Sequence, residues 1–447
     1  MPEHRTTADR RSIVSPHDQA PAALPTAAAR TAPEQVGHED GPMTSPHPVP
    51  FASLISTVLV PAAVFGIGQG AAVPVVALTA LDLGASLGSA GLVVAVAGVG
   101  QLLGDLPAGR IVGRYGERAA VVGGSVVGLV GVVLCLAAGS LWVLGLGVLL
   151  TGVANAVWGL ARQSYLTEAV AFAQRARAMS ALAGMSRLGF FIGPFLGAGV
   201  ISLVGTRGGF AVQLVSVLVA GVLMARMPDI VLERDRGRGA GPRVTVSLGS
   251  VIAEHQRLLR TLGSGALLLG LARASRAAIL PLWADSLGIS PATTSLVFGV
   301  SAAIDVLCSY PAGKLMDRYG RRVVAVPAMA TLAAGYLVLP LADGVVSLAL
   351  VALVLGVGNG LSNGLIMTLA ADVAPAATRA EFFAAWRLTH DTGMLAGPLV
   401  VAGIALVAPL GVAALAVGGL TAVGAGVLWT YIPVFAPFRR SREEPSS

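Results

Sequence analysis

Charged residues are scarce in this chain. Of its 447 residues, 12% are Asp, Glu, Lys or Arg, whereas a soluble domain carries about 25%. The shortage argues against an ordinary water-soluble domain. The apolar runs also lack the alternation of a membrane β-barrel strand, which argues against a barrel. Membrane-spanning helices remain, because in lipid a helix satisfies its own backbone hydrogen bonds.

Cysteine and lysine are nearly absent too. Cys135 and Cys308 both fall within apolar runs, which is typical of small buried hydrophobic residues and not of a disulfide or a metal site. The chain has a single lysine, Lys314, and no Gly-x-x-x-x-Gly-Lys-Ser/Thr loop, which argues against ATP as the energy source. Because the sequence also shows no metal cluster and no nucleophile arrangement, we expect neither an enzyme nor a bound cofactor.

Long hydrophobic runs dominate instead. Hydrophobic residues make up 55% of the chain, and the mean hydropathy is +0.78. An apolar run of about 18 or more residues predicts a membrane helix, because about 20 residues cross the roughly 30 Å hydrocarbon core. The sequence therefore predicts an all-α membrane protein with twelve spans, near residues 52–77, 88–110, 119–139, 141–167, 179–204, 209–227, 262–284, 291–314, 322–342, 344–371, 381–406 and 409–433.

The spans fall into two groups of six. Residues 1–50 are rich in Pro, Ala and Ser without an apolar run, which predicts a disordered tail and not a signal peptide. Met43 competes with Met1 as the true start. Residues 251–259 form a candidate short surface helix between the two groups. We predict a cytoplasmic tail at 1–50, a six-helix bundle at 51–227, a cytoplasmic linker at 228–261, a second six-helix bundle at 262–434 and a cytoplasmic tail at 435–447.

The segments between spans fall into two sets, one on each side of the membrane, and most of the basic residues lie in one set. The net charge is +7. We attribute the basic residues to membrane orientation, and we therefore expect a lipid bilayer and no nucleic acid as partner. The opposite set holds one arginine, Arg207, beside Asp82, Asp285 and Asp343. The positive-inside rule then places both termini in the cytoplasm of a cell (inner) membrane. The basic set, with the linker and both tails, holds Arg110, Arg114, Arg118, Arg162, Arg175, Arg177, Lys314, Arg318, Arg321, Arg322 and Arg379.

An internal repeat relates the two halves. An offset of 204 residues aligns them without a gap, so that Pro107 falls on Pro311, Asn155 on Asn359, and Arg175 on Arg379. Paired halves of this kind suit alternating access, in which one bundle moves against the other around a central site.

The repeat carries a motif in the segments after spans two and eight. The motif reads Gly, three residues, Asp, Arg, one residue, Gly and two basic residues. Its second copy is complete, with Gly313, Asp317, Arg318, Gly320, Arg321 and Arg322. The first copy keeps Gly109, Arg114, Gly116 and Arg118, but has Gly113 in place of the Asp and Glu117 in place of the first basic residue.

On these residues the chain resembles the major facilitator superfamily, from the first span to the last. The resemblance implies a fold of two pseudo-symmetric six-helix bundles and a secondary transporter. It also implies that the motif forms a gate, whose charged residues brace helix ends in the outward-facing state. Because Gly113 replaces the Asp, either Asp105 or Glu117 would have to supply the carboxylate of the first copy.

A narrower resemblance concerns span five. Its pattern of Gly189, Gly193, Pro194 and Gly197 is similar to one found in the drug–proton antiporters of this superfamily, which implies efflux. Ordinary helix packing explains the same pattern, because glycines four residues apart allow close approach. The pattern recurs in span eleven at Gly393, Gly397 and Pro398. The arginine that many such antiporters have in span four is absent, since Val148 stands at its position.

Ionisable residues inside the predicted spans are candidate site residues, because each costs at least about 2.5–3.5 kcal/mol to insert. The spans contain four arginines and two aspartates, and this excess of positive charge favours binding of an anionic group or a water-filled cavity. We predict substrate contacts from Arg187, Arg273, Arg276 and Trp283. We predict proton coupling through Asp305, Arg387, His390 and Asp391. Alternatively, Arg387 and Asp391 form an internal salt bridge, and Asp305 neutralises an arginine of span seven.

The sequence leaves three functions open. The first is proton-coupled efflux of a small amphipathic or anionic compound by a monomeric carrier, with protons as the second partner. The others are uptake of an organic anion and a membrane receptor or scaffold that does not transport.

Overall fold

The computed structural model describes residues 54–170, 174–226, 248–375 and 378–437, and its regular elements in these residues are all helical. The predicted tail at 1–50 and most of the linker at 228–261 lie outside the described residues, as does most of the tail at 435–447. Eleven of the described helical segments are long and apolar enough to cross a membrane.

The first half holds five helices. A π-helical turn, Ile55–Leu59, leads into the first of them. The helices are α1 Val60–Asp82, α2 Leu87–Ala137, α3 Leu141–Ala169, α4 Arg175–Val204 and α5 Gly208–Ala225. The hydroxyls of Ser86 and Ser140 accept hydrogen bonds from backbone N–H groups three residues later, which caps α2 and α3. Helix α2 contains spans two and three, joined by a sharp turn at Gly116, whose φ of 82° suits glycine.

The described residues of the second half form nine α-helices and a short 3₁₀ helix, Leu339–Leu341. The α-helices are α6 Leu248–Glu254, α7 Gln256–Arg260, α8 Leu262–Ser286, α9 Pro291–Tyr319, α10 Arg322–Val338, α11 Val345–Leu361, α12 Leu365–Val373, α13 Arg379–Ala405 and α14 Leu410–Phe435. Helices α6 and α7 overlap the predicted surface helix at 251–259. Gly320 turns the chain between α9 and α10 with a φ of 89°, as Gly116 does in the first half.

Helix α13 provides the twelfth span. It is 27 residues long, but its Arg387, His390 and Asp391 keep it outside the group of eleven apolar segments. It packs against α8 and α14 of its own half and against α2 of the other. The prediction of an all-helical membrane protein with twelve spans is therefore confirmed.

Span ten contains a break. Helix α11 ends at Leu361 and α12 begins at Leu365, and Gly364 between them has a φ of 79°. Glycine adopts this conformation without steric cost, and the neighbouring Asn363 can use its side chain to compete with helical bonds. The predicted span at 344–371 is confirmed by the apolar segment Val345–Val373, and the break within it lies beside the central cavity described below.

Glycines let helix backbones touch inside each half. A Cβ added to Gly189 of α4 would lie 1.9 Å from the carbonyl oxygen of Ala63 in α1. A Cβ added to Gly393 of α13 would lie 2.0 Å from the carbonyl oxygen of Leu267 in α8. Ala63 and Leu267 are themselves 204 residues apart. The repeat thus packs α4 on α1 and α13 on α8 by the same contact.

The second glycine of each pattern repeats this arrangement one turn later. A Cβ on Gly193 would lie 2.3 Å from the Ile67 oxygen, and one on Gly397 would lie 2.4 Å from the Leu271 oxygen. Gly197 contacts α1 less closely, with 3.3 Å from its added Cβ to that of Ala71. Pro194 and Pro398 come directly after these second glycines and lie inside their helices.

The two halves meet at one end of the molecule. We call it the acidic end, because its turns carry Asp82, Asp285 and Asp343, and we call the opposite end, with Gly116 and Gly320, the basic end. At the acidic end the Ser295 hydroxyl donates to the Pro194 oxygen at 2.9 Å. There a Cβ on Gly88 would lie 2.5 Å from Leu406.

The glycines of the motif at the basic end have open space around them. A Cβ added to Gly113 or Gly313 would find no neighbouring atom of the described residues within 4 Å. Leu307 and Tyr310 of α9 are 68% and 72% exposed.

Replacing Gly189 by Ala should destabilise the protein, because the new methyl would overlap the Ala63 carbonyl. We expect the free energy of unfolding to fall by about 1–3 kcal/mol, seen as a lower thermal midpoint in detergent. Gly184→Ala is the matched control in the same helix, because nothing lies within 4 Å of its added Cβ; it should raise stability by up to about 1 kcal/mol. Equal midpoints for the two variants would contradict the close contact.

Candidate functional site

A cavity of about 580 Å³ lies between the halves. Its walls come from α1, α2, α3 and α4 on one side and from α8, α9, α11 and α13 on the other. Phe190, Phe298 and Met394 contribute large apolar surfaces. The polar side chains in its lining are Gln69, Gln101, Thr151, Asn155, Arg273, Arg276, Asp305, Asn359, His390 and Asp391.

Asp305 of α9 is held by two amides. Asn359 of α11 and Asn363, at the break in span ten, donate hydrogen bonds to its two carboxylate oxygens. Arg273 of α8 donates to the Asn363 side-chain oxygen at 2.9 Å. Asn363 therefore bridges the carboxylate and the guanidinium, and the described residues show no direct ion pair between Asp305 and Arg273. Asp305 also interacts electrostatically with Arg273, so the alternative in which Asp305 neutralises an arginine of span seven stays open.

Two further arginines surround this group. Arg276, one turn after Arg273, is 8% exposed and donates to the Ser301 hydroxyl at 3.1 Å. Arg187 of α4 does not line the cavity, but it interacts electrostatically with Asp305 and Arg273. Arg187 and Arg273 thus interact with one carboxylate, and Arg276 lines the same cavity. The excess of positive charge is carried by both halves of the molecule.

A second charged group lies on α13. Asp391 accepts from Arg387 at 3.4 Å and contacts the His390 ring nitrogen Nδ1 at 3.1 Å. The internal salt bridge considered from the sequence is therefore present. Asp105 of α2 lies within electrostatic reach of Arg387 and Asp391. His390 and Asp391 line the cavity, whereas Arg387 does not.

Trp283 is absent from the cavity lining. Its indole N–H donates to the Ala342 oxygen at 3.1 Å, near the acidic end. The position offers no support for the predicted contact with substrate.

The complete motif copy connects α9, α10 and α12. Arg321 donates to Asp372 at 2.9 Å and to Asp317 at 3.1 Å, and the bond to Asp372 raises the pKa of Arg321 above its usual value. Arg318 lies over the Tyr319 ring and Arg322 over the Trp429 ring. Asp372 was not expected from the motif, because it lies 51 residues away from Arg321.

The altered copy makes a different connection. Glu117, at the place of Arg321, is buried and accepts from the Ser164 hydroxyl of α3 at 3.0 Å. Arg114 lies over the Tyr115 ring, as Arg318 lies over Tyr319. Arg118 and Gly109 are exposed. Asp105 interacts instead with Arg387 and Asp391 of α13. Glu117 is therefore the carboxylate that contacts α3.

Some cavity residues were not singled out from the sequence. Gln101 falls on Asp305 under the 204-residue offset, and it accepts from Asn155 at 2.7 Å as Asp305 accepts from Asn359. The repeat could have identified Gln101. Ser301 and the bridging position of Asn363 carry no such signal, since the equivalents in the first half are Ala97 and Gly159. Arg162 was counted with the inter-span charges, but the structure places it inside α3.

Asn363→Ala should destabilise the protein, because it leaves Asp305 and Arg273 with unpaired polar atoms. We expect a loss of about 1–3 kcal/mol, measured as a lower thermal midpoint. Thr392→Ala is the control, because this exposed hydroxyl bonds only to Leu388 of its own helix; it should change stability by less than about 0.5 kcal/mol. A midpoint for Asn363→Ala that equals the wild-type value would contradict the bridging role.

Comparison with known proteins shows where this architecture belongs. Residues 58–271 and 262–446 both match the family model described as Major Facilitator Superfamily. The uncharacterized MFS-type transporter YddS of Bacillus subtilis (strain 168) is 28% identical over 317 residues, which cover 67% of this chain and 72% of YddS. The uncharacterized MFS-type transporter YcaD of Escherichia coli (strain K12 / DH10B) is 27% identical over 137 residues, which cover 30% of this chain and 34% of YcaD.

Solved structures show the same fold at low sequence identity. The nucleoside transporter NupG superposes with a TM-score of 0.66 at 14% identity, over 84% of this chain and 98% of NupG. The xylose transporter XylE from E. coli, in an inward open conformation, superposes with a TM-score of 0.64 at 16% identity, over 88% of this chain and 97% of XylE. With both halves matching one family model, this chain belongs to the Major Facilitator Superfamily and is a multi-pass membrane transporter, not an enzyme.

Proposed function

We propose that this transporter exports a small amphipathic or anionic compound in exchange for protons, by alternating access. The observation that carries the proposal is the excess of arginine around the central cavity. Arg187 and Arg273 interact electrostatically with one carboxylate, that of Asp305, and Arg276 lines the cavity beside Arg273. An anion bound among them would lower the free-energy cost of keeping these charges within the membrane.

The rest of the cavity fits a compound with an apolar body. Its volume of about 580 Å³ lies in the range of roughly 300–1,000 Å³ that is usual for small-molecule sites. Phe190, Phe298 and Met394 give it apolar walls beside the polar groups. This combination supports an amphipathic substrate.

Proton coupling is assigned to the carboxylates that face the cavity. Asp391 has Arg387 and His390 beside it in its own half, and Asp105 approaches from the other half. Because relative movement of the halves changes the distance between Asp105 and this group, it changes the electrostatic free energy of protonating Asp391. Asp305, which Asn359 and Asn363 hold beside Arg273, is the second candidate.

The orientation follows from the basic residues. If the positive-inside rule holds, the basic end and both termini face the cytoplasm of the inner membrane. An exporter takes up its cargo from this side. Both copies of the motif lie at that end and would form the gate when it closes. One chain supplies both walls of the cavity, which supports a monomeric carrier.

Efflux as the direction rests on the Gly189–Gly193–Pro194 pattern of span five. The same glycine contacts occur in span eleven, so the pattern fits helix packing as well. The arginine excess fits uptake of an organic anion equally, which keeps uptake as the second candidate.

Substrate binding should depend on Arg273. We would screen antibiotics, metabolites and organic acids by thermal shift at two pH values, and we expect the stabilising compounds to be anionic or amphipathic. Their shift should be lost or strongly reduced in Arg273→Gln. Arg207→Gln is the matched control, since Arg207 bonds backbone oxygens of Leu136 and Ala138, and it should keep the shift. Full shifts in Arg273→Gln would count against the central arginines as the binding site.

Direction should show in vesicles of defined orientation. A compound from the screen should move out of the cytoplasmic side when protons are allowed to flow inward, and Asp391→Asn should uncouple this movement from the imposed pH gradient. Thr392→Ala, the next residue, is the control and should leave coupling intact. Accumulation on the cytoplasmic side under the same gradient would support uptake instead, and no movement of any stabilising compound would support a receptor.

A further inference from the structure

A smaller cavity of about 240 Å³ adjoins the central one within the first half. It shares Gln69, Asn155 and Phe190 with the central cavity. A molecule bound across this shared wall would contact both spaces. The other residues of its lining are Ala62, Phe65, Gly66, Arg162 and Ser186.

Arg162 is the one charged side chain in this lining. Its Nε donates to the Trp158 backbone oxygen at 3.1 Å, and its Nη1 reaches the Ser186 hydroxyl at 3.4 Å. It forms no ion pair among the residues that the structure describes. A guanidinium has five donors and stays protonated in proteins. Arg162 therefore keeps its positive charge, with donors left over for a ligand.

Two aromatic rings hold the guanidinium in place. Phe65 and Trp158 stack with ring centroids 4.4 Å apart, and the Arg162 guanidinium lies 5.5 and 5.8 Å from these centroids. The Trp158 N–H donates to the Ser125 hydroxyl at 3.0 Å, which fixes the indole. Ring faces attract a cation, but they do not neutralise it. The site is thus preorganised for an anion.

The walls around Arg162 are rigid and partly polar. A Cβ on Gly66 would lie 2.5 Å from the Ser186 oxygen, so α1 and α4 touch beside the cavity. The Ser186 hydroxyl can donate to an anion. Gln69 makes no side-chain hydrogen bond with any part of the chain that the structure describes, and its amide is available as a second neutral donor.

The second half has no counterpart of this site. Under the 204-residue offset Arg162 falls on Ile366, which is buried, and Gln69 falls on Arg273. In the second half this positive charge comes from Arg273 of α8, whereas in the first half it comes from Arg162 of α3. The difference marks Arg162 as a feature that the repeat does not explain.

We infer that Arg162, Ser186 and Gln69 form a second, anion-binding subsite, which takes the carboxylate, sulfonate or phosphonate group of an amphipathic substrate. The apolar body of that substrate lies against Phe190 and extends into the central cavity. This inference deepens the proposed function and rests on it for the role in transport. Anion binding at Arg162 can be measured without transport.

The test uses the purified full chain in detergent with benzoate, benzenesulfonate and phenylphosphonate, and with uncharged benzamide as the control ligand. The anions should raise the thermal midpoint with rising concentration, and benzamide should not. Arg162→Gln should weaken the apparent affinity for the anions by about tenfold or more, because it removes a charged donor. Arg162→Lys should recover part of this loss, since it restores the charge without the planar donors.

Two further variants keep the inference falsifiable. If Arg162→Gln does not fold, Ser186→Ala should still weaken the affinity for benzenesulfonate by roughly threefold to tenfold, because it removes one hydrogen-bond donor. Arg207→Gln should bind the three anions with affinity close to that of the wild type, because Arg207 bonds backbone oxygens of Leu136 and Ala138 and lines neither cavity. Loss of affinity in Arg273→Gln with none in Arg162→Gln would overturn the subsite and leave the proposed function intact. Absence of any anion-dependent shift in the wild type would also overturn the subsite.

Discussion

Direct contact between helix backbones is the constraint on which this structure depends. Glycines at equivalent positions press α4 on α1 and α13 on α8, with no room for a methyl group at Gly189 or Gly393. Membrane helices gain little from burying apolar surface, because lipid is apolar as well, so close packing supplies much of their association. These contacts fix the walls of both cavities, and thereby the distances among the charges that the walls carry.

Buried positive charge is the second determinant. Arg273 and Arg276 on α8, Arg187 on α4 and Arg162 on α3 come from three helices in two halves. The structure provides amides, hydroxyls and aromatic faces for them, but few carboxylates. Polar neighbours of this kind orient a guanidinium without cancelling its charge, which makes the cavity attractive to anions. The broken span ten serves the same group, since Asn363 beside Gly364 bridges Asp305 and Arg273.

Much of the fold could be read from the sequence. Spans, the repeat and the motif copies are local patterns, set by helix length, hydrophobicity and turn-forming glycine. The break within span ten could not be predicted, because it depends on what the polar residues of the span bind, and Asn363 binds Asp305, which lies 58 residues away. The partner of the Trp283 N–H could not be predicted for a similar reason, because Ala342 lies 59 residues away. Long-range partners leave no local pattern.

The twelve spans, their pairing by a 204-residue offset and the ionisable residues within them could be predicted from the sequence alone. The tertiary structure decided which of these charges meet. It placed Asp305 with Asn359 and Asn363, and it placed Arg162 in a cavity wall. The physical reason is that helix periodicity is local, whereas the field at a buried charge depends on every helix packed around it.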